Sequence, residues 1–395
     1  MSSLIARLRA RTPLGWLQLR RNPARLAVAV AGVAFANLLI LLQLGVMGAL
    51  FDSVAKPVTM LEADILLLSP DARIIGQLGT LPRRRLFQAL GVEGVAGGTA
   101  LQVGQVEIRQ PAATPGERFA TVTVFGIDPD ARATRNPAVE AQRALLRRAD
   151  TALIDRLTRA PLAPLVAAVA AGAPARAEIT GRTVSFVGEF ALGASFSSDG
   201  SIIVSDQTFL RLFSRSTAGS VSAILLRTTP GEDPAIVAAR LRTALPFADT
   251  QVMTMADYSA YTRGFMRSNT PIGVVFSFGV VIGVLVGFAI VYQILAADVQ
   301  DHLAEYATLR AMGYAQAWLL GVVFEQAAIL AILGFLPGVA LSLGLYALVG
   351  AATELAVTLP PQRAAFVLGL TLAMCAASGA LATRRLAAAD PADVF

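Results

Sequence analysis

The sequence predicts an α-helical membrane protein with four transmembrane helices and a large mixed α+β domain inserted between helices 1 and 2. Three observations carry this. Four stretches are long and apolar enough to span a bilayer, which takes about 20 residues. A more polar block, residues 52–271, separates the first stretch from the second. Of 395 residues, 55% are hydrophobic and 15% charged. A soluble domain carries about 25% charged residues.

The elements follow in chain order. Residues 1–25 form a basic, cytoplasmic N-terminal segment with Arg7, Arg9, Arg11, Arg20, Arg21 and Arg25 and no acid. In it, "TPLGWLQLRRNPARL" sets Leu14, Trp16, Leu17 and Leu19 among arginines, which suits a short amphipathic helix in the membrane interface. A plain positive flank is the alternative. The first span is 26–51, too long for the roughly 7–15-residue apolar core of a signal peptide, so it reads as an uncleaved anchor. The second is 272–297, the third lies in 318–350 and is interrupted by Pro337, and the fourth is 364–383. Arg384 and Arg385 follow at once. Because positive flanks stay cytoplasmic, both termini and residues 298–317 belong inside, and 52–271 and 351–363 outside.

The external block has ordinary globular signals. "ATVTVFGIDP", "GRTVSFVGEFAL", "SIIVSD", "VSAILLRT" and "TQVMTM" read as strands. "SDQTFLRLF" reads as a short helix capped by Ser205 or Asp206. "GEDPAIVAARLRTALP" is a helix with Asp233 as N-cap and Pro234 at its first position. Residues 130–178 are rich in Ala, Arg and Pro, so helices and loops are expected there. "ADYSAYTRGFMRSNTPIG" is a helix or linker leading into the second span.

Several chemistries are excluded. Lys56 is the only lysine, so no phosphate-binding G-x-x-x-x-G-K-[ST] loop can form. One histidine and one cysteine cannot hold a zinc ion, and Cys375 has no partner for a disulfide. Ser195 in "GASFS" lacks the second glycine of a nucleophile elbow. The net charge of +6 is spread without a basic stripe or stacking motif, which argues against nucleic acid. No cofactor and no catalytic residue are therefore expected of this chain.

Three features remain as candidates. Gly279, Gly283 and Gly287 share one face of the second span, where small residues let helix backbones approach. Two readings stay open: a dimer or bundle interface that can shift, and ordinary packing within the chain. Glu325 lies inside the third span, where a carboxylate needs a partner or a cavity; snorkelling to the inner interface beside Gln326 is favoured. The third feature is "DVQDHLAEYATLRAMGY", a polar helix between two spans with Gly313 as its stop. It carries the chain's only histidine, His302, and three acids, Asp298, Asp301 and Glu305. The acids mix with Tyr306, Leu309, Arg310 and Met312, a composition suited to a protein interface. A solvated loop with its apolar side on the membrane is the alternative.

The order of one span, a large external domain and three spans resembles the MacB/FtsX-type permeases, and within them the DevC-type ABC exporter permeases. The stretches that carry the resemblance run from "PLGWLQLRRNPARLAVAVAGVAFANLLILLQLG" through "SPDARIIGQLGTLPRRRLFQALGVEGV" and "LGASFSSDGSIIVSDQTFLRLF". They continue with "RSNTPIG", "VYQILAADVQDHLAEYATLRAMGY", "LLGVVFEQAAILAILGFLPG" and "LAAADPADVF". The resemblance covers nearly the whole chain and is weakest over 130–178.

It implies a periplasmic location for 52–271, an inner-membrane location for the spans, and a homodimer. It also implies a separate P-loop ATPase of the DevA type docking on 298–314, a periplasmic adaptor of the DevB type on the external domain, and a TolC-like outer-membrane duct. In the DevC system the cargo is a glycolipid; lipids and other hydrophobic compounds fit the wider family. Two further readings come with the resemblance: a lipoprotein-releasing permease, and an FtsX-like signalling protein that controls a cell-wall hydrolase.

Overall fold

The computed structural model describes residues 14–109, 119–246, 248–302, 305, 308, 312–313, 316–353 and 355–388. Helices α1 (Leu14–Arg21) and α2 (Pro23–Thr59) come first. A mixed region follows: β1 (Ile65–Leu68), β2 (Leu81–Pro82), α3 (Arg84–Leu90), β3 (Val95–Arg109), β4 (Phe119–Ile127), α4 (Pro137–Gln142) and β5 (Thr151–Asp155). It continues with α5 (Ala163–Ala170), β6 (Ala175–Ile179), β7 (Arg182–Phe190), β8 (Gly200–Ser205), α6 (Asp206–Leu212) and β9 (Ser220–Val221). Next are β10 (Ala223–Thr228), α7 (Pro234–Ala244), β11 (Gln251–Thr254) and α8 (Met255–Ser268). Three long helices close the chain: α9 (Pro271–Asp301), α10 (Gln316–Thr353) and α11 (Pro361–Ala388).

The chain divides into two compact units, Met1–Gly48 with Pro271–Phe395, and Ala49–Thr270. Four of the described helices are long and apolar enough to cross a membrane: α2, α9, and the segments Leu320–Thr353 of α10 and Pro361–Thr383 of α11. Helix α10 runs on through Pro337.

In the unit 49–270, nine described strands form one sheet in the order β11-β1-β10-β3-β4-β8-β5-β7-β6. The long strand β3 is what shapes it. Residues 95–101 of β3 pair with β10, residues 101–109 pair with β4, and Ile108 and Arg109 also meet β6. That last pairing closes β3, β4, β8, β5, β7 and β6 into a ring, which leaves no free edge there. Alternation along each strand splits the apolar residues between two cores. Val122, Val124, Ala152, Ile154, Ile202 and Val204 enter one. Phe125, Ile127, Leu153 and Ile203 enter the other, together with Val58 and Leu61 from the end of α2 and just beyond.

Local signals were followed closely. Asp233 Oδ1 accepts from the N–H of Ala235 at 2.8 Å with Pro234 at the first helical position. Ser205, rather than Asp206, caps α6, its Oγ accepting from the N–H of Thr208 at 3.1 Å. The run "VSAILLRT" is broken at Ser222: β9 pairs with β2, whereas β10 pairs with β1 and β3. The expectation of only helices and loops over 130–178 is corrected by β5 and β6. All five residues of β5, "TALID", are buried between β7 and β8. Such a strand has no alternation to betray it, and pairing decides its state.

One ion pair ties a helix to a loop of this unit. Arg85 of α3 is buried, and its Nε and Nη2 donate to Asp249 Oδ1 and Oδ2 at 3.1 and 2.6 Å. The Arg85 hydrogen bond holds the Asp249 carboxyl below its ordinary range. Because the pKa is lowered on folding, the pair stabilises above about pH 4 and that contribution is lost as pH falls through the lowered value. Asp249→Asn is expected to cost about 1–2 kcal/mol at neutral pH. The cost stays below that of a wholly buried pair because Asp249 is one-third exposed and Gln88 still accepts from Arg85. Thermal melts at pH 7 and pH 3 read this: the difference between variant and wild type should shrink at the lower pH.

Candidate functional site

The unit that contains α2, α9, α10 and α11 is packed around α2. Cβ atoms built on the glycines of α9 would strike α2: at Gly279 the Gln43 side chain, at Gly283 Ile40 Cγ1 at 2.9 Å, and at Gly287 Ala36 Cβ at 2.7 Å. The three contacts step backwards along α2, so the two helices run antiparallel with their backbones in close approach. Gly287 also lies under Met374 of α11. Gly334 and Gly338 of α10 do the same on another side of α2, against Val33 and against Asn37 and Ala34. Of the two readings of the α9 glycine face, the contacts therefore occupy it within one chain. Gly283→Leu is expected to cost about 1–3 kcal/mol of thermal stability in detergent by overpacking, with the oligomeric state unchanged. Size-exclusion light scattering alongside the melt separates this from loss of a dimer contact.

Polar side chains in this unit find one another. Asn37 is fully buried, and its Oδ1 accepts from Thr371 Oγ1 at 2.5 Å. Tyr346 Oη donates to the carbonyl of Leu41, and Ser378 Oγ to that of Phe288 at 3.1 Å. In apolar surroundings such groups need partners, which carbonyls and side chains of neighbouring helices supply here to all but the Asn37 Nδ2 and Gln326 Oε1 atoms. Glu325 is half-buried and makes no ion pair among the described residues. The fully buried polar residue is its neighbour, Gln326.

Gln326 is the centre of the candidate site. Its Nε2 donates to Asp298 Oδ2 at 2.8 Å and to Gln18 Oε1 at 3.1 Å. Asp298 is 5% exposed, on the last turn of α9. One turn on, His302 Nδ1 lies 2.9 Å from the Asp298 carbonyl and 3.6 Å from Asp298 Oδ1. The cluster thus joins α1, α9 and α10. Helix α1 is held there by close contact: a Cβ on Gly15 would lie 3.1 Å from the carbonyl of Val322, and Leu19 is buried among the long helices. Leu17, by contrast, is exposed.

The other two acids also meet the N-terminal arginines. Arg25 Nη1 donates to Asp301 Oδ2, and Arg21 Nη1 lies 3.6 Å from Glu305 Oε1. Both pairs are exposed enough that each is worth little by itself. Of the three acids read as one surface, then, Asp298 is turned inward and Asp301 and Glu305 face arginines. Glu305 and Thr308 are helical. The N–H of Met312 donates to the carbonyl of Thr308 at 3.0 Å, and Gly313 follows with φ +91°. That left-handed conformation is the reason for glycine here, since a Cβ would meet nothing within 4 Å. Met312 is exposed. Tyr306, Leu309 and Arg310 lie outside the described residues.

At the end of α9 the buried Asp298 carboxylate is thus fastened to α1 and α10 through Gln326, and Gly313 turns the chain farther on. The link to Gln18 and Gln326 was not foreseen from sequence. The only signal was a glutamine next to Glu325 in an otherwise apolar run.

Residues 277–391 match the family described as FtsX-like permease C-terminal. Among solved structures the chain is similar to the periplasmic region of MacB from Actinobacillus actinomycetemcomitans, at 11% identity and TM-score 0.32, covering 52% of this chain and 93% of that one. It is also similar to the extracellular domain of the noncanonic ABC-type transporter YknZ from Gram-positive bacteria, at 17% identity and TM-score 0.32, covering 49% and 100%. Both scores are too low to assign a fold. Comparison with curated proteins finds no match.

Proposed function

We propose that this chain is the permease subunit of an ABC-type exporter of the MacB/FtsX kind, driven by ATP hydrolysis in a separate P-loop ATPase. The observation that carries this reading is the match of residues 277–391 to an FtsX-like permease C-terminal segment. That stretch includes most of α9, all of α10 and α11, and the polar segment between α9 and α10. The helices α2, α9, α10 and α11 cross the inner membrane with both termini and residues 298–313 on the cytoplasmic side. The unit 49–270 lies in the periplasm, and two copies of the chain form the working permease.

In the cycle, ATP binding draws two ATPase subunits together against residues 298–313. Asp301, Glu305, Tyr306, Leu309, Arg310 and Met312 receive the push, and Gly313 keeps the segment a compact unit. Asp298 and His302 pass it through Gln326 into α1 and α10. Because α2 is packed by glycines against α9 and α10, a shift of those helices moves α2, and α2 runs unbroken to Thr59. The periplasmic unit then moves a lipid, glycolipid or other hydrophobic cargo. A DevB-type adaptor and a TolC-like duct take it onward. No chemistry on cargo is required of this chain.

A mild-detergent pull-down of the tagged protein from its own host tests the proposal. Recovery of a P-loop ATPase with a periplasmic adaptor is the expected result. An ATPase recovered with a cell-wall hydrolase, or no ATPase at all, would contradict it.

A further inference from the structure

The unit 49–270 contains a pocket of about 730 Å³ outside the segment described above. One wall is the end of α2 with Lys56 and Thr59, and Met60 just beyond. The other walls come from residues 135–138 and 189–192, with Gln142 and Arg156. These walls are fixed by their own hydrogen bonds. Asn136 Oδ1 accepts from the N–H of Ala138 at 3.1 Å, and its Nδ2 donates to the Ala191 carbonyl at 3.0 Å. Gln142 Nε2 donates to the Glu189 carbonyl at 2.9 Å. Behind them Asp155 is wholly buried and accepts from the N–H groups of Leu157, Leu192 and Gly193 at 3.0, 2.9 and 2.6 Å. Burial pushes the Asp155 carboxyl up, and Lys56 is the cation whose charge opposes that shift.

The pocket carries an excess of positive charge. Lys56, Arg135 and Arg156 line it against one acid, Glu189. Lys56 and Arg156 form no ion pair among the described residues, and Arg135 Nη2 donates to the Ala63 carbonyl at 3.3 Å and lies 3.9 Å from Asp64 Oδ1. Met60, Phe190 and Leu192 are buried behind the pocket, and its apolar surface comes from Pro137, Ala138 and Ala191. A volume of this size and a few convergent charges on an apolar lining are what a small-ligand site requires. Position along α2 narrows the ligand. The apolar run ends at Phe51, and at 1.5 Å per residue Lys56 follows about 7.5 Å later. The headgroup layer is about 5–8 Å deep on each side of the hydrocarbon, so Lys56 stands at or just beyond its outer margin. Nearby, the N–H of Phe196 donates to Ser53 Oγ at 3.2 Å, and the Phe196 side chain is exposed.

We propose that this pocket binds an anionic amphiphile. Lys56, Arg135 and Arg156 hold its phosphate or carboxylate, and Pro137, Ala138 and Ala191 meet the adjoining apolar part. The proposal rests on the reading that α2 crosses the membrane, and it makes this pocket the place where cargo or a regulating lipid is recognised.

Lys56 is the chain's only lysine, so amine-reactive labelling with peptide mapping reads this pocket and the N-terminus separately. The full chain is placed in nanodiscs of phosphatidylcholine alone, or of phosphatidylcholine with phosphatidylglycerol. A third sample has phosphatidylcholine with inorganic phosphate in solution. Phosphatidylglycerol is expected to slow Lys56 labelling about tenfold, the factor given by ligand at about ten times its Kd. Arg156→Gln should restore most of the rate. Inorganic phosphate alone should do little. Equal labelling in the two lipids overturns the proposal. So does slowing that persists in Arg156→Gln, which marks surface potential, or equal slowing by free phosphate, which marks a soluble-anion site. The readout needs no ATPase, so its failure is distinct from failure of the pull-down.

Discussion

Replacing Glu305, Tyr306, Leu309 and Arg310 together by alanine is expected to leave the protein folded in the membrane while export falls roughly 5- to 150-fold, the range of coupling free energies of about 1–3 kcal/mol. The reason lies in how the segment is held. Its start is fastened by Asp298 and its end is set by Gly313, neither of which is altered. The Glu305–Arg21 pair that is lost is exposed and worth little to stability. What disappears is the surface against which the proposed ATPase would push. ATP hydrolysis by the assembled complex should continue, so the ratio of cargo moved to ATP consumed is the quantity to measure. Export at the wild-type ratio would show that these side chains are not the coupling surface.

The second large effect is expected at the buried cluster. Gln326→Leu removes the donor that Asp298 and Gln18 share and leaves a 5%-exposed carboxylate without it. Leaving a buried acceptor without its donor costs about 1–3 kcal/mol, toward the upper end for a charged group. Replacing both partners by apolar groups is nearly neutral by comparison. The Asp298→Leu/Gln326→Leu double variant should therefore recover most of the thermal stability in detergent that Gln326→Leu alone has lost. It should still move cargo poorly, because the link from α9 to α10 has gone. If the single and double losses simply add, the two side chains do not work as a pair.

The sequence made some of this legible and hid the rest for definable reasons. The four long helices could be read because an apolar run of that length has few other uses. Helix α7 could be read because Asp233 and Pro234 announce its start within three residues. Strand β5 could not, since burial on both faces erased its alternation. The glycines at 279, 283 and 287 were visible as a face, but whether another chain or α2 filled that face depends on contacts hundreds of residues apart. Gly334 and Gly338, on either side of Pro337, carry the approach of α10 to α2, which again depends on contacts far along the chain. Attention to Glu325 missed Gln326 by one position, which on a helix is about 100° and the difference between half-buried and fully buried. Arg21 and Arg25 were informative about orientation, and that use obscured a second one, their approach to Glu305 and Asp301.

The coupling surface itself can be tested by placing a photo-reactive side chain at position 309 of the full chain, irradiating living cells, and identifying what is joined to it. A P-loop ATPase joined at 309, with no such product from position 312 of a variant lacking Glu305, Tyr306 and Arg310, is the predicted result. Crosslinks to lipid only, with the ATPase present in the same membranes, would mean that residues 298–313 lie on the bilayer and do not receive its force.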